Sequence, residues 1–315
     1  MVWYKSGSIG IFVVLVVLVI LFTVVNPAFL SKVNIGTMLR AMAYVGIISV
    51  GMALCLISGM IDLSVGATSA LASVVFGLLM RDHGASILVA VLVSLLCGAV
   101  VGVINAFIIL KLKVNPFIAT ISMMFVVRSV SNWLSNGYSI YPLPDGVLSI
   151  GEAQPLGVSW AFWIFVGFTV IAELILRFSL FGLLLRAVGS DREVARCTEV
   201  NVNQVNIVGL IAISLLAVIA GIAISCMTNA GSPTVGSGWE FTAITACVIG
   251  GVSLFGYDGD MFGMFCGLAV IQVINNGIVM IGVNPYLQGV VIGVILLTAM
   301  AAEIKRRSWL DLEAI

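Results

Sequence analysis

Apolar residues run along this chain in long blocks. Read by length and by breaks at glycine, proline and charge, the blocks fall near 9–25, 38–57, 64–80, 86–110, 116–136, 159–178, 205–227, 240–254, 260–281 and 285–302. Roughly 20 apolar residues make a helix that crosses a bilayer. The pattern therefore predicts an all-α polytopic membrane protein of about ten transmembrane helices, organised as a single domain over residues 1–315. Two stretches, 58–66 and 231–254, place glycines and polar residues at membrane depth. Such backbone is tolerated only where it is buried in protein or lines a water-filled cavity, so short re-entrant or broken segments are expected there. The first block has one lysine ahead of it and Asn26-Pro27-Ala28-Phe29 behind it, with no small-residue cleavage site, and reads as an uncleaved first helix.

Three short matches recur at nearly one offset. Ser64-Val65-Gly66 returns as Thr234-Val235-Gly236, Val103-Ile104-Asn105 as Val273-Ile274-Asn275, and Val114-Asn115-Pro116-Phe117 as Val283-Asn284-Pro285-Tyr286. The shift carries the second block onto the seventh, the fourth onto the ninth and the fifth onto the tenth. An odd number of crossings separates such halves (about 38–136 and 205–302), so an inverted repeat is expected, with the solute path near the repeat interface. GxxxG spacings at Gly98/Gly102, Gly263/Gly267 and Gly289/Gly293 predict close helix approach.

Composition sharpens this picture. Hydrophobic residues are 61% of the 315 and charged residues only 9%, for a net charge of zero; mean hydropathy is +1.23. With one histidine, His83 in a loop, no basic nucleic-acid patch and no metal cluster is on offer. Six scattered cysteines with no CxxC pair suit reduced thiols. Counted over ten spans, Lys5, Lys111, Lys113, Arg177, Arg186, Arg192, Arg196 and Lys305-Arg306-Arg307 fall on one side, which places both termini in the cytoplasm and the loop 137–158 outside. Lys32 and Arg40 run against that rule. Six charges (Arg186, Asp191, Arg192, Glu193, Arg196 and Glu199) crowd into the fourteen positions 186–199. This island reads either as a solvated loop or as the place where something in water meets the membrane body.

A charge inside a membrane segment costs roughly 2.5–3.5 kcal/mol, so each is a functional candidate. Asp62, within Ser58-Gly59-Met60-Ile61-Asp62-Leu63-Ser64-Val65-Gly66, and Glu240, just after Gly236-Ser237-Gly238-Trp239, each read equally as a helix cap or as a functional group, in solute contact for Asp62 and in gating for Glu240. Arg128 lies deeper and needs a buried partner such as Asp62, Glu240 or backbone carbonyls. Glu173 and Arg177 match an ordinary intrahelical pair. Asn275, Asn276, Asn105, Gln272 and Asn136 add neutral hydrogen-bonding groups, while Phe117, Trp133, Tyr138, Trp239 and Tyr286 sit near segment ends where interfacial anchoring explains aromatics. The surplus of amides over carboxylates suits a neutral polyhydroxylated solute better than an ion. No GxxxxGK[ST] phosphate loop and no Ser/His/Asp or Cys/His set occurs, so the chain is expected to be neither an ATPase nor another enzyme.

Several of these motifs together resemble the carbohydrate-uptake ABC permeases of the ribose, xylose and arabinose type. They are Ser58–Gly66 (SGMIDLSVG), Val114–Thr120 (VNPFIAT) with Met123-Met124 and Arg128, Asn136-Gly137, Asn201-Val202-Asn203, Gly236–Gly251 (GSGWEFTAITACVIGG) with Ser253-Leu254, Asn275-Asn276-Gly277 and Gly282-Val283. The resemblance implies a permease of the bacterial inner membrane that imports a ribose-like monosaccharide and dimerises with a second copy or a paralogue. It also implies a periplasmic sugar-binding protein and an ATP-binding subunit with two nucleotide domains; ATP and Mg would sit on that partner, with no cofactor in this chain. On the same basis the coupling segment, about 182–200, would use Arg186, Gly189, Asp191, Arg192, Glu193, Ala195, Arg196 and Glu199 to meet the ATPase, and solute would pass near Asp62, Ser64, Phe117, Arg128, Glu240, Asn275 and Asn276. The chain departs from the family at Asp191, where asparagine is usual, and at Val194-Ala195, in the place of an alanine pair. It departs again at Glu199-Val200, in a glycine's place, and at Gly256-Tyr257-Asp258-Gly259, in place of a glycine run. Two alternatives stay open: a related permease for a nucleoside, a furanose signal molecule or an amino acid, and a secondary transporter that works without ATP.

Overall fold

A computed structural model describes residues 6–197 and 200–313; Lys5 and Glu199 lie outside them. Each expected span corresponds to a helix: α1 (Ser6–Val25), α2 (Lys32–Ile57), α3 (Val65–Arg81), α4 (Ile87–Ala106, continued by a wide turn Phe107–Lys111) and α5 (Pro116–Leu134) in the first part of the chain. Two further helices precede the second part: α6 (Asp145–Glu152) lies within the 137–158 loop, and α7 (Trp160–Phe178) is a span. The charged island folds as α8 (Leu180–Ser190) and α9 (Arg192–Cys197). Then come α10 (Val202–Thr228), α11 (Trp239–Ile249), α12 (Met261–Met280) and α13 (Gln288–Glu313). No strand occurs among the described residues beyond one isolated bridge, Ile140 to Gly231.

Local chemistry sets the helix starts. Ser31, Ser86, Asn115, Ser179, Asn201 and Asp260 each accept a backbone N–H of the first turn they cap. Among the described residues, seven helices are long and apolar enough to cross a membrane, whereas Ile9–Val25, Val65–Arg81, Leu180–Ser190 and Trp239–Ile249 are shorter. The eighth expected span, 240–254, is thus an 11-residue helix, about 16 Å long at 1.5 Å per residue. Gly250 and Gly251 end it early, and the segments on either side of it stay unwound.

The centre of the bundle is the α2–α10 pair. Gly51 lies against Ile213, Cys55 Sγ donates to Gly209 O at 3.5 Å and Tyr44 OH meets Met227 Sδ. Rising numbers on α2 meet falling numbers on α10, so the two run antiparallel. Around this pair, α3 and α4 pack on α10 while α11 and α12 pack on α2. The contacts of α3 with α4 and α5 are matched by those of α11 with α12 and α13. Between the two sets, Gly66 and Gly236 face each other so closely that a Cβ on either would overlap the other's carbonyl oxygen. In lipid, helices associate through packing and hydrogen bonds rather than the hydrophobic effect, so such glycine approaches carry cohesion. Gly98 and Gly102 fit against α10, and Gly263 and Gly267 against α11, whereas Gly289 and Gly293 meet nothing within 4 Å.

Candidate functional site

Three groups of polar residues are set along the bundle. The first is the charged island, and it has two faces. On the inward face, Arg186 donates to Tyr257 O (3.1 Å) and Gly259 O (2.9 Å), and Arg192 donates to Gly59 O (2.8 Å). Gly189 lies against Ile57 O and the Tyr257 N–H, with no room for a side chain, and Tyr257 N donates to Ile57 O (2.9 Å). Ala195 is buried as well. The end of α8 is thus bolted to the turn after α2 and to the loop between α11 and α12. Partial burial, with Arg196 nearby, holds the Arg192 guanidinium below its usual pKa, yet an arginine stays charged. On the outward face, Asp191 caps α9 through Glu193 N (2.8 Å) and Val194 N (3.1 Å). Glu193 and Arg196 pair at 2.6 Å with side chains 79% and 55% exposed; a pair so exposed stabilises by only about 0–1 kcal/mol. Both charges stay in contact with water. Of the eight predicted coupling residues, Arg186, Gly189, Arg192 and Ala195 face inward and Asp191, Glu193 and Arg196 outward, while Glu199 lies outside the described residues.

The second group sits beside Gly66 and Gly236. Asp62 and Ser64 are fully enclosed: Asp62 Oδ1 accepts Ser64 N (2.8 Å) and Ser64 Oγ (2.6 Å). Asn105 donates to Asp62 Oδ2 (3.3 Å) and Ser64 Oγ (2.9 Å). Arg128 finds backbone carbonyls, donating to Pro233 O (2.8 Å) and Val235 O (2.7 Å) in the unwound segment before α11. Glu240 is buried with Oε2 lacking a hydrogen-bond partner. Arg128→Met would leave both carbonyls unpaired, and since each such buried group costs about 1–3 kcal/mol, thermal unfolding in detergent should occur at clearly lower temperature; an unchanged midpoint would remove Arg128 as the support of that segment. Glu173 pairs with Arg177 as the spacing predicts, and its other oxygen accepts Met261 N (2.8 Å), tying α7 to α12.

The third group lies toward the opposite end of α2 from the island. A cavity of about 590 Å³ opens between α2, α10, α11, α12 and α13, with Arg40, Tyr44, Trp239, Gln272, Asn275 and Asn276 in its wall. Asn276 is already engaged in a reciprocal amide pair with Asn34 (2.9 and 2.8 Å). Phe117 is on the exposed outer side of α5, away from this wall.

The seven predicted path residues therefore do not form one site: Asp62 joins Ser64, Arg128 holds the strap ahead of Glu240, and Asn275 and Asn276 share the cavity. Sequence reasoning missed Arg40 and Tyr44 as members of it. Their signal was present, since Thr37, Arg40 and Tyr44 recur at one helical face of α2 as Gln272, Asn275, Asn276 and Val279 do on α12.

A family model described as branched-chain amino acid transport system / permease component matches residues 34–300. The chain belongs to that family. The permease is 32% identical over 302 residues to the ribose import permease protein RbsC of Escherichia coli (strain K12), a match covering 94% of this chain and 93% of the relative. RbsC of Bacillus subtilis (strain 168) is 34% identical over 302 residues, covering 95% and 93%. The L-arabinose transport system permease protein AraH of Escherichia coli (strain K12) is 31% identical over 299 residues, covering 95% and 90%. A solved structure described as an inward-facing conformation of a putative metal-chelate type ABC transporter matches with a TM-score of 0.53 at 14% identity, covering 96% of this chain and 100% of that one. At that identity the likeness is one of fold alone. Within the permease, SGMIDLSVG is the unwound α2–α3 junction with the first two residues of α3, and GSGWEFTAITACVIGG is α11 with its flanking turns. The Gly256–Gly259 departure forms the loop that Arg186 grips.

Proposed function

We propose that this permease is the membrane-spanning subunit of an ATP-driven importer that carries a ribose-like monosaccharide into the bacterial cell. A partner ATPase with two nucleotide domains, holding ATP and Mg, would press on the exposed face of α9. A periplasmic sugar-binding protein would deliver solute at the cavity end, and a second copy or a paralogue would complete the assembly. Both termini and the α8–α9 end are then cytoplasmic, and the 137–158 loop is outside.

The observation that carries this reading is the two-faced island. A helix pair with exposed charges outward and three backbone clamps inward would receive a push at one face and pass it to the α2–α3 turn and the α11–α12 loop together. These turns belong to different halves of the expected repeat, about 38–136 and 205–302. The antiparallel α2–α10 pair and the reciprocal approach of Gly66 and Gly236 support an inverted relation between those halves. Rigid rocking of one half against the other is how such repeats alternate access. Full-length similarity to ribose and arabinose permeases favours a sugar over the amino acid of the family's description. The open Gly289/Gly293 stripe on α13, whose apolar stretch is unburied, supports a second copy on that side.

In proteoliposomes holding the permease, ATPase and binding protein, Glu193→Arg or Arg196→Glu should reduce ATP-driven uptake of labelled D-ribose severalfold, while the Glu193→Arg/Arg196→Glu double variant, which keeps the pair, recovers part. Full uptake in both single variants would sink the docking assignment.

A further inference from the structure

Glu303 ties the last membrane helix to the loop that the island holds. Its Oε1 accepts Ser253 Oγ (2.6 Å) and Leu254 N (3.2 Å), both in the loop between α11 and α12. That loop is a closed turn, with Ser253 N donating to Asp258 O (2.9 Å) and Asp258 N to Gly256 O (2.9 Å). Arg186 grips its other side at Tyr257 O and Gly259 O, and a Cβ on Gly256 would overlap Gly189 O. One small body of backbone is thus held by α8 on one side and by α13 on the other.

Packing fixes the two ends of α13 unequally. Ile292 and Leu296 lean on the core, and Gln288 Nε2 donates to Asn275 O (3.1 Å) at the end far from the island. Nearer the island the helix stands over a hollow of about 330 Å³, with Val248, Ile249 and Val252 on the α11 side and Ala299 and Ala302 on α13. Folded interiors keep few voids larger than a water molecule, so two alanines facing this hollow leave that end of α13 without interlocking side chains. Glu303 stands in the same wall and supplies the hold. Its Oε2 is buried with no hydrogen-bond partner. An unpaired buried oxygen is unfavourable, so a displacement that brings it a second donor is favoured. A helix seated at one end and spanning a hollow at the other, with a half-satisfied carboxylate as its tie, has the parts of a two-position element.

We propose that Glu303 is the positioning residue that hands movement of α8 and α9 to α13, through its carboxylate grip on the 250–260 loop. The proposal rests on the ATP-driven import reading and adds to it the element that moves and the side chain that moves it.

Ala299→Cys places a thiol in the hollow, and a Cys97→Ser/Cys197→Ser background removes the two native thiols that are not buried. In the assembled transporter in proteoliposomes, the rate of maleimide labelling at position 299 should differ severalfold with and without ATP plus vanadate. Glu303→Ala should abolish that difference and lower labelled D-ribose uptake at least about tenfold, the size of a lost hydrogen bond to a charged acceptor, while ATP hydrolysis persists. Glu303→Gln, which keeps an acceptor, should restore part of both. Where Glu303→Ala fails to assemble, Ser253→Ala removes one of the two donors and should reduce both readouts in the same sense.

ATP-driven uptake in the parent with labelling indifferent to nucleotide overturns the proposal and leaves the import reading standing. So does a Glu303→Ala or Ser253→Ala permease that keeps the nucleotide-dependent labelling, whether or not uptake falls. Uptake in the parent that needs no ATP defeats the import reading and the proposal together.

Discussion

Gly189→Val should abolish coupled transport. Any side chain there must enter the space of Ile57 O and the Tyr257 N–H, which themselves form the 2.9 Å hydrogen bond joining the α2 end to the α11–α12 loop. Overpacking a fitted interior costs typically 1–3 kcal/mol, and here the obstacle is backbone on both sides, so the end of α8 has to lift. The clamps made by Arg186 and Arg192 are tied to the same helix pair and would lengthen with it. The expected result is ATPase activity that persists in the assembled transporter while labelled D-ribose uptake falls by at least about tenfold, the ratio that a loss of 1.4 kcal/mol produces. Gly189→Ala should give a milder form of the same defect. Uptake and hydrolysis that fall together would place Gly189 in assembly, and unchanged uptake would remove it from the relay.

Gly66→Val is the second large effect, and it concerns folding rather than coupling. The Cβ would overlap Gly236 O and crowd the Glu240 carboxylate, at the point where the two helix sets meet. Because neither backbone can shift without dragging α3 or the strap before α11, the loss should reach about 3 kcal/mol or more, the upper end for overpacking. Gly236→Val should match it, adding strain from a positive φ of 73°. Thermal unfolding of the detergent-solubilised permease measures both. If Gly66→Val alone left the midpoint unchanged, the close contact between the sets would not hold the fold together.

Much of this was legible in the chain because membrane helices announce themselves by length. All ten apolar blocks have a helix, and within the two expected breaks residues 58–64 and 231–238 are unwound, as are those from 250 onward to α12, while 239–249 form the short α11. What the sequence could not supply was which polar groups face which. Asp62 and Ser64 look like solute contacts until Asn105 closes over them from α4, a partner forty-odd positions away. Arg128 offered three possible partners, and only the fold selects the Pro233 and Val235 carbonyls. In the island, the neighbours Arg192 and Glu193 point to different faces because 3.6 residues make a turn; a single charged segment in sequence became a plate with an exposed side and a clamping side. Arg40 shows the reverse case. It stood out in the sequence as an exception to the charge rule, and only the fold puts it in the wall of a cavity.

Uptake of labelled D-ribose into proteoliposomes containing the purified permease, with and without its partner ATPase, ATP and binding protein, separates ATP-driven import from every other route. An ATP-driven importer should show uptake only when all are present, proportional to ATP hydrolysed and indifferent to ionophores. Uptake that persists without the ATPase and collapses when the ion gradient is dissipated would contradict it.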